Sequence, residues 1–445
     1  METARTTLSA ASARLVAGTT TAVALTQACL DQIAARNGAL NAFWHVGSEQ
    51  ALADAAASDA RAARGERISP LDGIPIAVKD NIAVAGWPCT AGMQTRRGQR
   101  AETDAFVVQR LRKHGAVLLG KTALNEAVLG ADGDNPHYGP CFHPLQQGFS
   151  PGGSSAGSAV AVAAGMALGA LGTDGLGSVR IPAAYCGVAG FKPSAARVSQ
   201  RGVVLASRRL ESVGPLAPAV ADLHVLYHVI AALDPLDPQS RSVPLKHLEQ
   251  DEWRIGYLPA SALPGLMPDV RAVYEASLTR LERTLGPLRE VEFNDLVSTP
   301  RRRAGLLVCE AEMAHLHGDA LAAQPHLLSP ALRRMLEFPW NKSAVDLAAA
   351  QFEVDQAVLP LRALFRDLDV LLTPTTPQVA FAFGTPVPTT QADYTALANC
   401  AGTPALSLPC GFSAGGWPVG LQLLGPVGSD LQLLMLGERM EQALA

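Results

Sequence analysis

The chain has 445 residues, of which 48% are hydrophobic and 17% charged, and its 36 Lys and Arg against 40 Asp and Glu give a formal net charge of −4. This length and apolar content suffice for a large buried core, which excludes intrinsic disorder as the main description of the chain. The longest Lys/Arg run is only three residues, Arg301–Arg303, so a protein that tracks nucleic-acid phosphates is excluded as well.

Residues 1–64 are rich in alanine and predict a group of helices. Next, Ile74–Val78 follows a turn and predicts a short buried strand, with Lys79 at its exit. A helix is predicted from about 104 to 114, because Gly115 suits a left-handed cap at a helix end. The apolar residues 116–119 then predict a strand directly after that helix.

A glycine- and serine-rich loop at 148–158 precedes a helix of small apolar residues. Helical periodicity is clear in 269–285, and the following Gly-Pro pair is a typical end signal. Strands are predicted at 370–372 and 419–424, and a last helix from Ser429. Strands and helices therefore alternate along the chain, which is typical of the α/β class.

The domain organisation is predicted to be a single domain over residues 1–445. Within it, the N-terminal helices of 1–64 precede a core part at 65–235. Residues 236–360 are richer in Arg, Glu and His and are expected to form a peripheral helical elaboration. Residues 361–445 are expected to complete the core.

Two short motifs match known functional patterns without their structural context. Gly115–Thr122 reads as the phosphate-loop pattern G-x-x-x-x-G-K-T, but its middle residues Ala-Val-Leu-Leu form the predicted strand rather than a glycine-rich loop. Gly153–Gly157 matches the G-x-S-x-G elbow of α/β-hydrolases, which requires an apolar strand immediately upstream. The upstream residues are rich in Pro, Gly and Gln. We therefore interpret both matches as structural.

Seven cysteines, an odd number without any C-x-x-C pair, indicate reduced thiols. The N-terminus contains no apolar segment before a cleavage site, and the longest apolar run, Ala159–Leu171, is shorter than the ~20 residues that span a bilayer. We therefore expect a cytoplasmic protein with no membrane partner and no nucleic-acid partner.

A set of separate motifs resembles the amidase signature family. The motifs are Gly73-Ile74-Pro75 before Lys79, Gly152–Ser158, Gly172–Ala183, Gly190–Pro193, Leu372–Pro377 and Gly402–Ala405. The resemblance covers most of the chain and is strongest from about 70 to 220. It implies the family's fold, a single α/β domain with a mixed, twisted central sheet covered by helices.

The resemblance also implies three catalytic residues. Ser178 matches the family's nucleophile, Ser154 matches a serine that follows a cis peptide bond, and Lys79 matches the base. Gly153, on the other side of that peptide bond, removes one side chain from a crowded turn. The first and second loop serines are 24 positions apart, which is the family's spacing.

Elementary chemistry is consistent with these roles. A serine hydroxyl is a weak nucleophile and needs an adjacent base, and the two glycine/serine loops contain no histidine. A lysine can act as the base if its amine is neutral. Lowering its pKa by about three units costs ~4 kcal/mol of charge stabilisation, which burial at the end of an apolar strand can supply.

The resemblance places an oxyanion hole in the backbone N–H groups of four consecutive residues, Gly175, Leu176, Gly177 and Ser178. The family's usual stretch is Thr-Gly-Gly-Ser or Thr-x-Gly-Ser, so Gly175 and Leu176 depart from it. Either Leu176 needs a positive φ and is strained, or its side chain faces the pocket and narrows it.

Three further residues are expected to support the site. Asp174 and Arg180 flank the nucleophile loop, and we interpret them as an ion pair that fixes the loop's shape. Ser155, next to Ser154, is expected to form hydrogen bonds that hold the two loops in place.

The predicted function is hydrolysis of a carboxamide or anilide C–N bond through an acyl-enzyme intermediate. Two alternatives remain open. The same residues could cleave a carbamate (urethane) or a urea-type compound, and the family also includes the amidase subunit of tRNA-dependent amidotransferases. We expect a small-molecule amide or carbamate substrate and no metal or organic cofactor, and a homodimer is left open.

Overall fold

Apolar segments form the strands at the centre of the computed structural model, which describes residues 6–243, 252–292 and 296–445. The strands are β1 (Phe43–Val46), β2 (Pro75–Lys79), β3 (Val117–Thr122), β4 (Gly169–Asp174), β5 (Ala189–Lys192), β6 (Ser212–Ala217), β7 (Ile255–Tyr257), β8 (Arg289–Glu290), β9 (Val370–Pro374), β10 (Ala405–Phe412) and β11 (Pro418–Leu424). Every residue of β2 to β6 is buried, as expected for strands covered on both faces.

Helices surround these strands. They are α1 (Leu8–Val16), α2 (Ala22–Leu40), α3 (Ser48–Ala63), α4 (Phe106–Lys113), α5 (Ala156–Ala163), α6 (Arg180–Cys186), α7 (Val220–Ile230), α8 (Pro268–Leu285), α9 (Thr299–Ala323), α10 (Pro330–Glu337), α11 (Ala344–Gln356), α12 (Val358–Leu364), α13 (Ala396–Ala401) and α14 (Asp430–Leu444). In the ranges that the structure describes, no helix is long and apolar enough to cross a membrane.

The strands of the described residues pair into one mixed sheet in the order β1-β3-β2-β4-β6-β5-β10-β11-β9-β7-β8. β2 runs parallel to both β3 and β4. β4 is antiparallel to β6, as β10 is to β11. This arrangement confirms the predicted α/β class and the single mixed sheet flanked by helices.

The structure also resolves the two misleading motifs. Gly115 follows α4 with a φ of 79°, and the next residues form β3, which confirms that the phosphate-loop match is a helix end and a strand. Irregular chain leads into Gly153–Gly157, and α5 begins only at Ala156. The hydrolase-elbow match therefore lacks its strand.

The division of the domain into four parts stays a prediction, although each end part contains an unexpected strand pairing. Residues 1–64 include β1 at one edge of the sheet, and residues 236–360 include β7 and β8 at the other. All seven cysteines are free and buried, as expected for reduced thiols.

The parallel strands β2 and β4 position the site. Lys79 is the last residue of β2, and Thr173 and Asp174 are the last two of β4. In open α/β sheets, ligand sites form at the carboxyl ends of such strands. The start of the antiparallel β6 also lies here, since Ser212 pairs with Asp174.

Candidate active site

Lys79 lies in the interior with no exposed surface. Its Nζ is 2.8 Å from Ser154 Oγ and 2.9 Å from Thr173 Oγ1. Burial lowers the pKa of this amine to about 7, although the carboxylates of Glu211 and Asp174 oppose the shift. A substantial fraction of Lys79 is therefore neutral near pH 7 and able to accept a proton.

The peptide bond between Gly153 and Ser154 is cis, as the family resemblance implied. Ser154 is fully buried, and its hydroxyl lies on Lys79. A Cβ on Gly153 would lie 2.2 Å from Asn125 Oδ1. No side chain fits there without displacing that amide, so glycine is required in front of the buried serine.

Ser155 connects the two glycine/serine loops. Its backbone N–H donates to the Ser178 carbonyl over 3.1 Å. Its hydroxyl donates to the Thr173 carbonyl (3.1 Å) and accepts the Thr173 N–H (3.2 Å). The residue beside Ser154 is thus fixed both to the end of β4 and to the backbone of Ser178.

Asp174 organises the loop that carries Ser178. Its carboxylate accepts the backbone N–H groups of Gly177 (2.7 Å) and Val179 (3.2 Å) and is 2.8 Å from the Arg180 guanidinium. Burial raises the pKa of Asp174, but the charge and hydrogen bonds of Arg180 outweigh burial and hold it at about 2. Asp174 is therefore an anion at any pH relevant to catalysis.

Arg180 extends this buried ion pair to the opposite part of the sheet. Its guanidinium donates to the Thr395 carbonyl (2.9 Å), to Gln422 Oε1 (2.6 Å) and to Asn399 Oδ1 (2.6 Å). Asn399 in turn donates to the Asp174 carbonyl over 2.8 Å. The structure thus places both predicted flanking residues in one network that holds the Ser178 loop.

The expected oxyanion hole needs one correction. The Gly177 N–H already donates to Asp174, so this amide is not available to a substrate. Gly177 adopts a φ of 134°, and a Cβ on it would lie 2.2 Å from Thr395 Oγ1. Its role is to form the turn, and the N–H groups of Gly175, Leu176 and Ser178 remain as candidate donors.

Leu176 does not adopt a positive φ. Its half-buried side chain lines a cavity and approaches α9 at Gly305, where an added Cβ would lie 3.1 Å from Leu176 Cδ2. Of the two expectations for this residue, the structure supports the narrowed pocket and not a strained backbone.

Ser178 lies on the wall of this cavity, whose volume is about 290 Å³. The surrounding walls are largely apolar and include Leu129, Leu176, Ile181, Leu306, Met335 and Val387. Polar side chains are few, and the charged ones are Glu211 and Arg302, the latter 2.5 Å from Asp393. The cavity suits a mainly apolar ligand next to the Ser178 hydroxyl.

Two parts of the site were missed in the sequence. Glu211, next to Lys79, is a single acid before an apolar strand, and only the antiparallel pairing of β4 with β6 brings it to the site. The first turns of α9 close the cavity through Arg302, Leu306 and Cys309. No local motif marks that segment. In the described ranges, no cluster of three His, Cys, Asp or Glu side chains could hold a metal ion.

Comparison with known proteins identifies the family. The model of the family described as Amidase matches residues 24–434. This chain belongs to the amidase signature family. One subunit of the glutamyl-tRNA(Gln) amidotransferase of Chloroflexus aggregans is 36% identical over 98% of this chain and 96% of the relative. The family places the chain among enzymes that act on C–N amide bonds.

Solved structures of the amidase signature family superpose over almost the whole chain. Peptide amidase from Stenotrophomonas maltophilia has a TM-score of 0.87 at 30% identity and covers 100% of this chain and 98% of its own. An s-triazine catabolic enzyme, described as part of a vestigial protein complex, has a TM-score of 0.90 at 32% identity, with 98% of both chains covered. The chain is an amidase with the family fold.

Proposed function

We propose that this protein hydrolyses a carboxamide or anilide C–N bond through Ser178, Ser154 and Lys79. The observation that carries the proposal is the 2.8 Å contact between the fully buried Lys79 amine and the Ser154 hydroxyl, beside a cavity lined by Ser178. A buried amine with a lowered pKa and a hydroxyl relay supply the base that a serine nucleophile requires.

In the first half of the reaction, the Ser178 Oγ attacks the carbonyl carbon of the bound amide. Its proton passes to Ser154, whose own proton passes to the neutral Lys79 amine. The negative charge on the carbonyl oxygen is stabilised by backbone N–H groups among Gly175, Leu176 and Ser178. Lys79, now protonated, returns the proton through Ser154 to the leaving nitrogen, and the C–N bond breaks.

In the second half, the acyl group is an ester of Ser178. Water attacks this ester, and the same relay accepts a proton from the water and returns one to Ser178 Oγ. The products are a carboxylic acid and an amine, or ammonia for a primary carboxamide. Trapping the acyl group on the Ser178-containing peptide by mass spectrometry after rapid acid quench tests this intermediate.

The activity should depend on pH through Lys79. Only the neutral amine accepts a proton, and burial lowers its pKa to about 7. We therefore expect kcat/KM to fall tenfold per pH unit below about pH 7 and to level off above it. Initial rates between pH 5 and 9 measure this limb, and a rate that is constant between pH 5 and 8 would contradict it.

Leu176 should restrict the size of the substrate. Because its side chain lines the cavity against α9, the variant Leu176→Gly should raise kcat/KM for bulky acyl amides about tenfold relative to small ones. Leu176→Ala should lie between glycine and the natural residue. The same ratio of bulky to small substrates in all three proteins would show that this side chain does not limit the pocket.

A panel of substrates distinguishes the chemical alternatives. Carboxamides, anilides, carbamates and urea-type compounds with matched apolar groups can each present a carbonyl to Ser178. We expect the carboxamides or anilides to have the highest kcat/KM. Faster turnover of carbamates or ureas by the same serine would favour the urethanase alternative. The cytoplasmic location and the homodimer stay predictions.

The alternative of a role within an amidotransferase complex is favoured by one observation, the 36% identity to a glutamyl-tRNA(Gln) amidotransferase subunit over nearly the full length of both chains. In that case the chain would act together with partner subunits. Purification of the tagged protein from its own host distinguishes the two. Stoichiometric partner subunits that are required for turnover would support the alternative, and amide turnover by the isolated chain would support the hydrolase.

A further inference from the structure

The side chain of Glu211 is a buried acid beside the proposed relay. Only 3% of the residue is exposed, yet it lines the same cavity as Ser178. One carboxylate oxygen, Oε2, accepts the Ala206 backbone N–H over 2.6 Å. The carboxylate also has a hydrogen bond with the Thr173 side chain. The mechanism above does not use this residue.

The hydroxyl of Thr173 links Glu211 to Lys79. Its oxygen is 2.9 Å from Lys79 Nζ and 3.2 Å from Asn81 Nδ2. The Asn81 amide also donates to the Val204 carbonyl over 2.8 Å, which fixes its orientation with the NH₂ group toward Thr173. A threonine hydroxyl has two acceptor positions and one proton to donate. Since both acceptor positions are used, the proton is donated to the Glu211 carboxylate.

We infer that Glu211 is a positioning residue that sets the direction of the Lys79 relay through Thr173. With its proton on Glu211, the Thr173 hydroxyl can only accept from Lys79. A neutral Lys79 amine therefore directs one N–H at Thr173 and leaves its lone pair for the proton of Ser154. This inference rests on the proposed function, because it assigns a role within that same relay.

Loss of the carboxylate would remove this direction. The Thr173 hydroxyl could then donate to the Lys79 lone pair, which would compete with proton transfer from Ser154. The substrate would still bind, so the loss should fall on kcat rather than on KM. One hydrogen bond of this kind corresponds to about a tenfold change in rate.

The charges around this pair are defined on each side. Lys79 faces Glu211 and Asp174, and Asp174 is already paired with Arg180. Glu211 faces Lys79 and Asp174 across the sheet, and the Cys309 thiol of α9 from the other side. Burial raises the pKa of Glu211 and the charge of Lys79 opposes that effect, while the Glu211 carboxylate raises the pKa of Lys79.

The variant Glu211→Gln tests the inference with little change in shape. The Ala206 N–H requires an acceptor, so the glutamine amide would direct its carbonyl there and its NH₂ group at Thr173. The Thr173 proton then loses its acceptor. We expect kcat to fall about tenfold with KM unchanged. The acidic limb of the pH profile should move about one unit lower, because the carboxylate beside Lys79 is gone.

A double-mutant cycle shows whether Glu211 acts through Thr173. Thr173→Val should lower kcat about as much as Glu211→Gln, and the double variant should lose little more than either single one. Glu310→Gln is the matched control, because Glu310 is also a buried acid but lies on α9 outside the cavity lining. It should keep both kcat and the pH midpoint.

Several results would overturn the inference. These are an unshifted acidic limb in Glu211→Gln, additive losses in the double variant, or an equal effect of Glu310→Gln. If Glu211→Gln does not fold, Thr173→Val decides alone, and an unchanged kcat in that variant rejects the role. Turnover that survives Ser178→Ala rejects the proposed function itself, whereas additive losses together with an inactive Ser178→Ala reject only the role of Glu211.

Discussion

Ser178→Ala is expected to lower kcat/KM by at least about 10⁴-fold, because no acyl-enzyme can form without the nucleophile. The side chain is half-buried on the cavity wall, so its loss should change the free energy of unfolding by less than about 0.5 kcal/mol. Steady-state rates and a denaturant titration measure the two effects separately.

The matched control is Ser158→Ala. Ser158 is another buried serine on α5, and its hydroxyl is bonded to Thr122 (2.8 Å) and to the Leu171 carbonyl (3.0 Å). This variant should cost about 1 kcal/mol of stability and keep most of the activity. Residual turnover above a few per cent in Ser178→Ala would mean that a different residue is the nucleophile.

Lys79→Met should lower kcat/KM by between about 10² and 10⁴-fold, since it removes the base while filling a similar volume. The remaining activity should lack the acidic limb near pH 7. The variant should also unfold less readily than the natural protein at pH 6. Burial lowers the pKa of Lys79 to about 7, so below that pH the folded protein holds a charge that the unfolded chain solvates better.

This gain in stability should shrink as the pH rises from about 7 toward the ordinary pKa of lysine, because the unfolded chain then loses its proton as well. Lys192→Met is the control. Lys192 is equally buried, and burial lowers its pKa to about 7, but its amine donates to the Pro193 carbonyl. It should keep the acidic limb. An unchanged limb in Lys79→Met would reject Lys79 as the base.

The elements that could be predicted from the sequence are those whose signals are local. A Gly-Pro pair marks the end of α8 at Leu285, and Ser429 immediately precedes α14. The apolar run before Lys79 indicated a buried strand, and this burial is the cause of the lowered pKa. In each case, neighbouring residues determine the structure that forms.

The parts that could not be predicted depend on how distant segments pair. Glu211 reaches Lys79 only because β6 runs antiparallel to β4. The Gly177 amide was expected in the oxyanion hole, but the carboxylate of Asp174 accepts its hydrogen three residues away. The closure of the cavity by Arg302 and Cys309 follows from the packing of α9. No spacing or periodicity within one segment encodes these contacts.

The most direct test of the central claim is the rate at which a fluorophosphonate labels the enzyme at different pH values, with the labelled peptide identified by mass spectrometry. The proposed relay predicts a single label on Ser178, formed at a rate that rises with pH through a midpoint near 7 and that is lost in Ser154→Ala and Lys79→Met. A label on another serine, or a rate on Ser178 that neither variant changes, would contradict it.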